Sequence, residues 1–130
     1  MTRTLRALVP VVALLALVTG AATAADAPTA KWRIQFQGRA TNDGEMHLRV
    51  TPQSGEPIIV TIKIARGRGE LFMAKDVLEG FKTQLPKLRF KSEIVHGQEV
   101  LLKAGHEEPA FALELMDSTV EGSRMILGPA

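Results

Sequence analysis

Apolar residues fall on alternate positions in at least six stretches between residues 32 and 127, and on a three-and-four spacing in only one. Strands bury one face with a period of two and helices with a period near 3.6. The pattern therefore restricts the chain to a largely antiparallel β domain carrying a single helix. Trp32, Ile34 and Phe36 alternate with Arg33, Gln35 and Gln37, and Met46, Leu48 and Val50 alternate with His47 and Arg49. Thr41–Asn42–Asp43–Gly44 lies between the two runs and predicts a turn, hence a hairpin. Pro52–Gln53–Ser54–Gly55 is the next turn. A third strand follows, with Ile58, Val60, Ile62 and Ile64 on its core face and Ile59, Thr61 and Lys63 on the other.

Ala65–Arg66–Gly67–Arg68–Gly69 breaks that strand, and the period then changes. Leu71, Ala74, Leu78, Phe81 and Leu85 predict one helical face, opposite Lys75, Asp76, Glu79 and Lys82, and Pro86 stops the helix. Alternation returns with Leu88, Phe90 and Ile94 on one face, interrupted by Ser92. After the turn His96–Gly97–Gln98 come Val100 and Leu102, then Phe111, Leu113 and Leu115, with a last short strand from Arg124 to Leu127. The expected fold class is α+β in the order β-β-β-α-β-β-β, with six or seven strands in one antiparallel sheet and the helix on one face.

The N-terminus reads as an address. Arg3 and Arg6 precede a run from Ala7 to Thr19 without charge, and Ala22–Thr23–Ala24 supplies the small residues of a cleavage site. Those thirteen uncharged residues would rise only about 20 Å as a helix, short of a bilayer's hydrocarbon core. Residues 1–24 are thus expected to be a cleaved secretory signal. Residues 25–31 would form a flexible leader and 32–128 a single domain, located in the periplasm or outside the cell. The chain has no cysteine, which excludes a disulfide framework, a thiolate metal site and a lipid-anchored N-terminal cysteine. Losing Arg3 and Arg6 leaves 14 basic against 14 acidic residues, so nucleic acid is not an expected partner of the mature domain, and no membrane span is expected after the signal is removed. Positive charge is nonetheless concentrated early: twelve basic and six acidic residues lie between Lys31 and Lys91.

Candidate sites are few. Strand parity places Arg33, Arg49, Lys63, Arg89 and Lys91 on an open sheet face, with Ile59, Val95, Leu101 and Met116 among them, a mixture suited to an acidic partner. Arg66 and Arg68 precede the helix start, where free N–H groups favour anions. Phe72 stands where a dinucleotide fingerprint needs its third glycine, and Glu70 would repel phosphate, so a glycine-dependent strand-to-helix turn accounts for this segment. His96, His106 and Glu107 are the weak candidates for a metal, but the helical H-E-x-x-H spacing is absent. No serine stands in G-x-S-x-G, and no cofactor is expected. These observations favour a non-catalytic exported module that binds a protein or envelope component through its basic sheet face or an edge strand. A small metal-dependent or acid–base hydrolase and a secreted inhibitor are the alternatives.

The run Pro57–Ile64, its glycine turn, the Ala/Leu/Phe helix and the following strand pair resemble structural modules of phage tail and flagellar filament-associated proteins. The likeness covers residues 57 to about 115 and implies an assembly role. The Ala-rich start also resembles that of small exported bacterial proteins.

Overall fold

Where the sequence alternates, strands form, and the computed structural model describes them over residues 27–106 and 108–130. The signal pattern in residues 1–24 and Glu107 lie outside the described residues. The elements are β1 (Lys31–Gly38), β2 (Gly44–Pro52), β3 (Ile58–Ile64), α1 (Glu70–Gln84), β4 (Phe90–Val95), β5 (Glu99–Ala104), β6 (Phe111–Ser118) and β7 (Ser123–Pro129). The fold is α+β, and all its strand pairs are antiparallel. The strands do not make one sheet, however. They split into a four-stranded sheet ordered β4-β5-β1-β7 and a three-stranded sheet ordered β3-β2-β6.

The split follows from the failure of the expected β1–β2 hairpin. Gly38 has φ 90°, a left-handed conformation open to glycine, and turns the chain out of the first sheet. Arg39 and Thr41 donate their N–H groups to the carbonyls of Gly122 and Glu121, and Ala40 exchanges backbone hydrogen bonds with Arg68 and Gly67. The residues read as a tight turn bind neighbouring loops instead. The Asn42 side chain donates to the Thr119 carbonyl at 2.9 Å and accepts from the Glu121 N–H at 2.8 Å, while Asp43 accepts from the Arg66 N–H at 2.8 Å. β1 then pairs with β5 and β7, and β2 with β3 and β6.

Both sheets turn their apolar faces into one core. β1 contributes Trp32, Ile34 and Phe36, β2 Met46, Leu48 and Val50, β3 Val60, Ile62 and Ile64, and β5 Val100 and Leu102. Two contacts tie the sheets directly. The Trp32 indole N–H donates to the Phe111 carbonyl at 2.9 Å. Phe90 of β4 meets Phe111 of β6 edge to face, with centroids 5.2 Å apart. Thr29, in the segment expected as a loose leader, exchanges two backbone hydrogen bonds with Phe111.

α1 closes one open side of this sandwich, packing against β3 on one sheet and β1, β4 and β5 on the other. Its buried residues are Met73, Ala74, Val77, Gly80 and Phe81. The expected face is therefore rotated, and Leu71 is 36% exposed. The cause is Gly80, whose missing side chain leaves room for Ile62 Cδ1 and lets the helix lie close on β3. Burying Met73, Val77 and Phe81 contributes about 1.5–3 kcal/mol each. No helix among the described residues is long and apolar enough to cross a membrane. Leu88, expected on the core face of the fourth strand, lies outside β4 and is 87% exposed.

Candidate functional site

The cationic side chains that strand parity grouped together are distributed over separate surfaces. Arg33 lies on the outer face of the four-stranded sheet, and Arg49 and Lys63 lie on the outer face of the three-stranded one. The two sheets share a core, so these faces point away from each other. Most of the arginines are also paired. Arg49 reaches Glu114 Oε1 through Nε at 2.6 Å and Nη2 at 2.5 Å. Arg33 Nε stands 3.2 Å from Glu99 Oε1, and Gln35 donates to the other oxygen of the same carboxylate. Arg68 binds Asp76 at 2.7 and 3.1 Å and lies over the Phe72 ring. Its guanidinium pKa is raised, first by the Asp76 hydrogen bond. Exposed pairs of this kind add little stability, but they cancel the charge that a basic face would offer.

Arg89 has a different position. Glu108 is 3% exposed, the one buried charged residue among those described, and it accepts from Arg89 Nη2 at 2.7 Å and Nε at 3.3 Å. The Gln53 N–H adds a third bond to Glu108 at 3.1 Å. Arg89 thus ties the β3–α1–β4 region to the loop before β6. Arg66 is exposed, and only its backbone N–H is bonded, to Asp43. Gly67 has φ 90° in the strand-to-helix turn, whose carbonyl Arg39 holds at 2.7 Å, an anchoring role not foreseen for Arg39.

His96 and His106 do not meet. His96 occupies the β4–β5 turn, and His106 follows the far end of β5 beyond Ala104. The six residues of β5 separate the two positions by roughly 20 Å at strand rise. No group of three or more metal-ligating side chains occurs among the described residues.

Among the described residues, His47 is the one histidine held by ion-pairing neighbours. On the outer face of the three-stranded sheet its Nδ1 is 2.6 Å from Asp117 Oδ1, and its Nε2 is 3.5 Å from Glu45 Oε1. The Asp117 hydrogen bond, then the two carboxylate charges, raise the imidazole above its ordinary 6.5, against a lowering by desolvation. A raised folded-state value means that the stabilisation is fully present below the unfolded value and is lost as pH rises through the folded one. The melting temperature is therefore expected to fall across the pH range above the ordinary imidazole value of 6.5. His47→Gln should flatten that slope, as differential scanning calorimetry across the range would show.

The strand edges distinguish one surface from the rest. An unpaired edge is a template for another strand, and folded proteins protect it with charges, bulges or cover. At β3, the Gln84 side-chain amide accepts from the Thr61 N–H at 2.9 Å and donates to its carbonyl at 2.8 Å, standing in for a neighbouring strand. β4 carries Lys91 and Glu93 and has α1 packed against it. β6 is bridged at Phe111 by Thr29, bulged between Leu115 and Asp117, and charged at Glu114 and Asp117. β7 has only Arg124 near its start and Pro129 at its end, with no bulge, bridge or covering side chain between them among the described residues. It pairs with β1 without interruption from Ser123 to Pro129 and carries no charge after Arg124. Met125, Ile126 and Leu127 are half-buried there, and Leu115 on β6 is 37% exposed. No described element covers this side of the sandwich as α1 covers the other.

The chain matches no known family model, no curated protein and no solved structure.

Proposed function

We propose that the domain is a non-catalytic exported binding module that takes an extended segment of a partner protein onto the free edge of β7. The supporting observation is that, among the described residues, the β7 edge between Arg124 and Pro129 has no helix, bridge, bulge or side-chain amide over it, unlike the edges of β3, β4 and β6. Added strands gain affinity from backbone pairing and specificity from alternate side chains. Met125 and Leu127 share the core-facing side of β7, so the recognised segment would be apolar at every second position. The basic-face version of this reading loses weight, because Arg33 and Arg49 are already paired across their sheets.

A photo-crosslinking residue at Arg124, in otherwise intact protein mixed with native envelope extract, is expected to give one discrete adduct. The same probe at Thr61, whose edge Gln84 occupies, should give none. Ile126→Lys, which places a charge on the outward side of the edge, should abolish the Arg124 adduct, whereas Lys63→Glu on the opposite sheet should keep it. Equal adducts at both probe positions would refute the assignment. An adduct of twice the domain's mass would turn the edge over to self-association.

A further inference from the structure

Positive charge without a partner does collect at one place, and it is not a sheet face. Between the C-terminal half of α1 and β4 lies a groove of about 410 Å³. Its floor is Phe81, Leu85, Phe90 and Leu102, none more than 6% exposed. Lys82, Lys87 and Lys91 also line it, and no acidic residue does. None of these three lysines forms a salt bridge among the described residues, in contrast to Arg33, Arg49, Arg68 and Arg89. Leu88, the most exposed large apolar residue described, follows Lys87 directly.

We propose that this groove binds a medium-chain fatty carboxylate. The apolar floor calls for a hydrocarbon, and the uncompensated lysines call for an anionic head; one molecule that carries both is an anionic single-chain amphiphile. Size sets the chain length. At roughly 30 Å³ per non-hydrogen atom, taking the share of one water as a measure, the groove holds on the order of a dozen such atoms, or a carboxylate of about ten carbons. A peptide is a poorer occupant, because a strand would need the β4 edge that α1 packs against. The proposal is independent of the β7 edge, since the groove lies beside α1 and β7 lies at the far edge of the four-stranded sheet.

Titration calorimetry of the intact protein, with ligands below their aggregation concentrations, tests it. Each methylene buried is worth about a fourfold gain, so decanoate should bind about 16-fold more tightly than octanoate. Decanol, of equal length and no charge, should bind more weakly by about fivefold. The exposed triple variant Lys82→Glu/Lys87→Glu/Lys91→Glu should fold, as emission from Trp32 would report, and should erase the preference for decanoate over decanol. Ser92→Leu fills the groove from β4 and should abolish binding of both. Absence of saturable binding by decanoate at millimolar concentration, or equal affinity for decanol, overturns the proposal. So would binding to phosphatidylglycerol vesicles with none to monomeric decanoate, which would make the lysines and Leu88 a membrane-surface patch instead.

Discussion

Arg89→Met is expected to destabilise the domain by about 3 kcal/mol, enough to lower its melting temperature by at least about 12 °C. The physical reason is Glu108. Its side chain is only 2% exposed, and Arg89, at 33%, is the cation that compensates it. Methionine keeps the apolar stem of the arginine but leaves a carboxylate buried without its counter-charge, a situation that costs far more than an exposed pair contributes. The figure is the lower end of the range for broken buried pairs because Arg89 retains solvent access. Arg89→Met/Glu108→Leu separates the two causes. It removes the stranded charge together with its partner, and Gln53 still has the Ala110 carbonyl at 3.1 Å for its N–H, so most of the loss should be recovered. Denaturant unfolding followed through Trp32 measures both. A single variant within about 0.5 kcal/mol of the parent, the range of an ordinary surface change, would show that Glu108 is not held in the way described.

The second large effect belongs to the corner where β1 ends. Gly38 and Gly122 have φ values of 90° and 85°, and each backbone lies against another's carbonyl. A β-carbon at Gly122 would fall 2.5 Å from the Arg39 oxygen, and one at Gly38 would fall on the Gly122 oxygen. Gly38→Ala therefore combines a left-handed conformation, costing about 1–2 kcal/mol, with a collision against main chain that no side-chain rotation relieves. A total above about 2 kcal/mol is expected. Gly67 supplies the control. Its φ is also 90°, but nothing lies within 4 Å of its virtual β-carbon, so Gly67→Ala should carry the conformational part alone. If the two substitutions cost the same, the close approach at Gly38 has no energetic weight. If Gly38→Ala costs more, β7 should also lose amide protection in hydrogen exchange, because Gly38 pairs with Ser123 at the start of that strand.

The inner faces of β1, β2 and β3 were legible from the residues alone, because alternation is a local property of a strand. Trp32, Leu48 and Ile62 are buried where parity put them. Pairing was not legible, since backbone hydrogen bonds leave no side-chain signature. Asn42 and Asp43 show how the error arises: the residues that favour a tight turn are equally good at binding other loops, which is what they do here. The helix face was displaced for a related reason. Gly80 scores as neutral in a hydrophobic pattern, yet its lack of a side chain is what brings α1 against Ile62. The basic face failed on partners rather than on parity. Glu114 and Asp117, which neutralise Arg49 and hold His47, arrive from β6, far away in sequence. Lys82, Lys87 and Lys91 were visible as charges, but only the packing of α1 beside β4 surrounds them with an apolar floor.

The splitting of β1 from β2 also bears on when this chain can fold. β1 is the first of the described strands, yet its neighbours are β5 and β7, and Trp32 lies opposite Pro129, almost a hundred residues further on. Contacts of such long sequence separation slow folding, because the loop must close before any pairing rewards it. The four-stranded sheet therefore cannot be completed until Ser123–Pro129 are present. A segment that ends before β7 leaves β1 with one of its two neighbours, so it has no finished sheet to unravel.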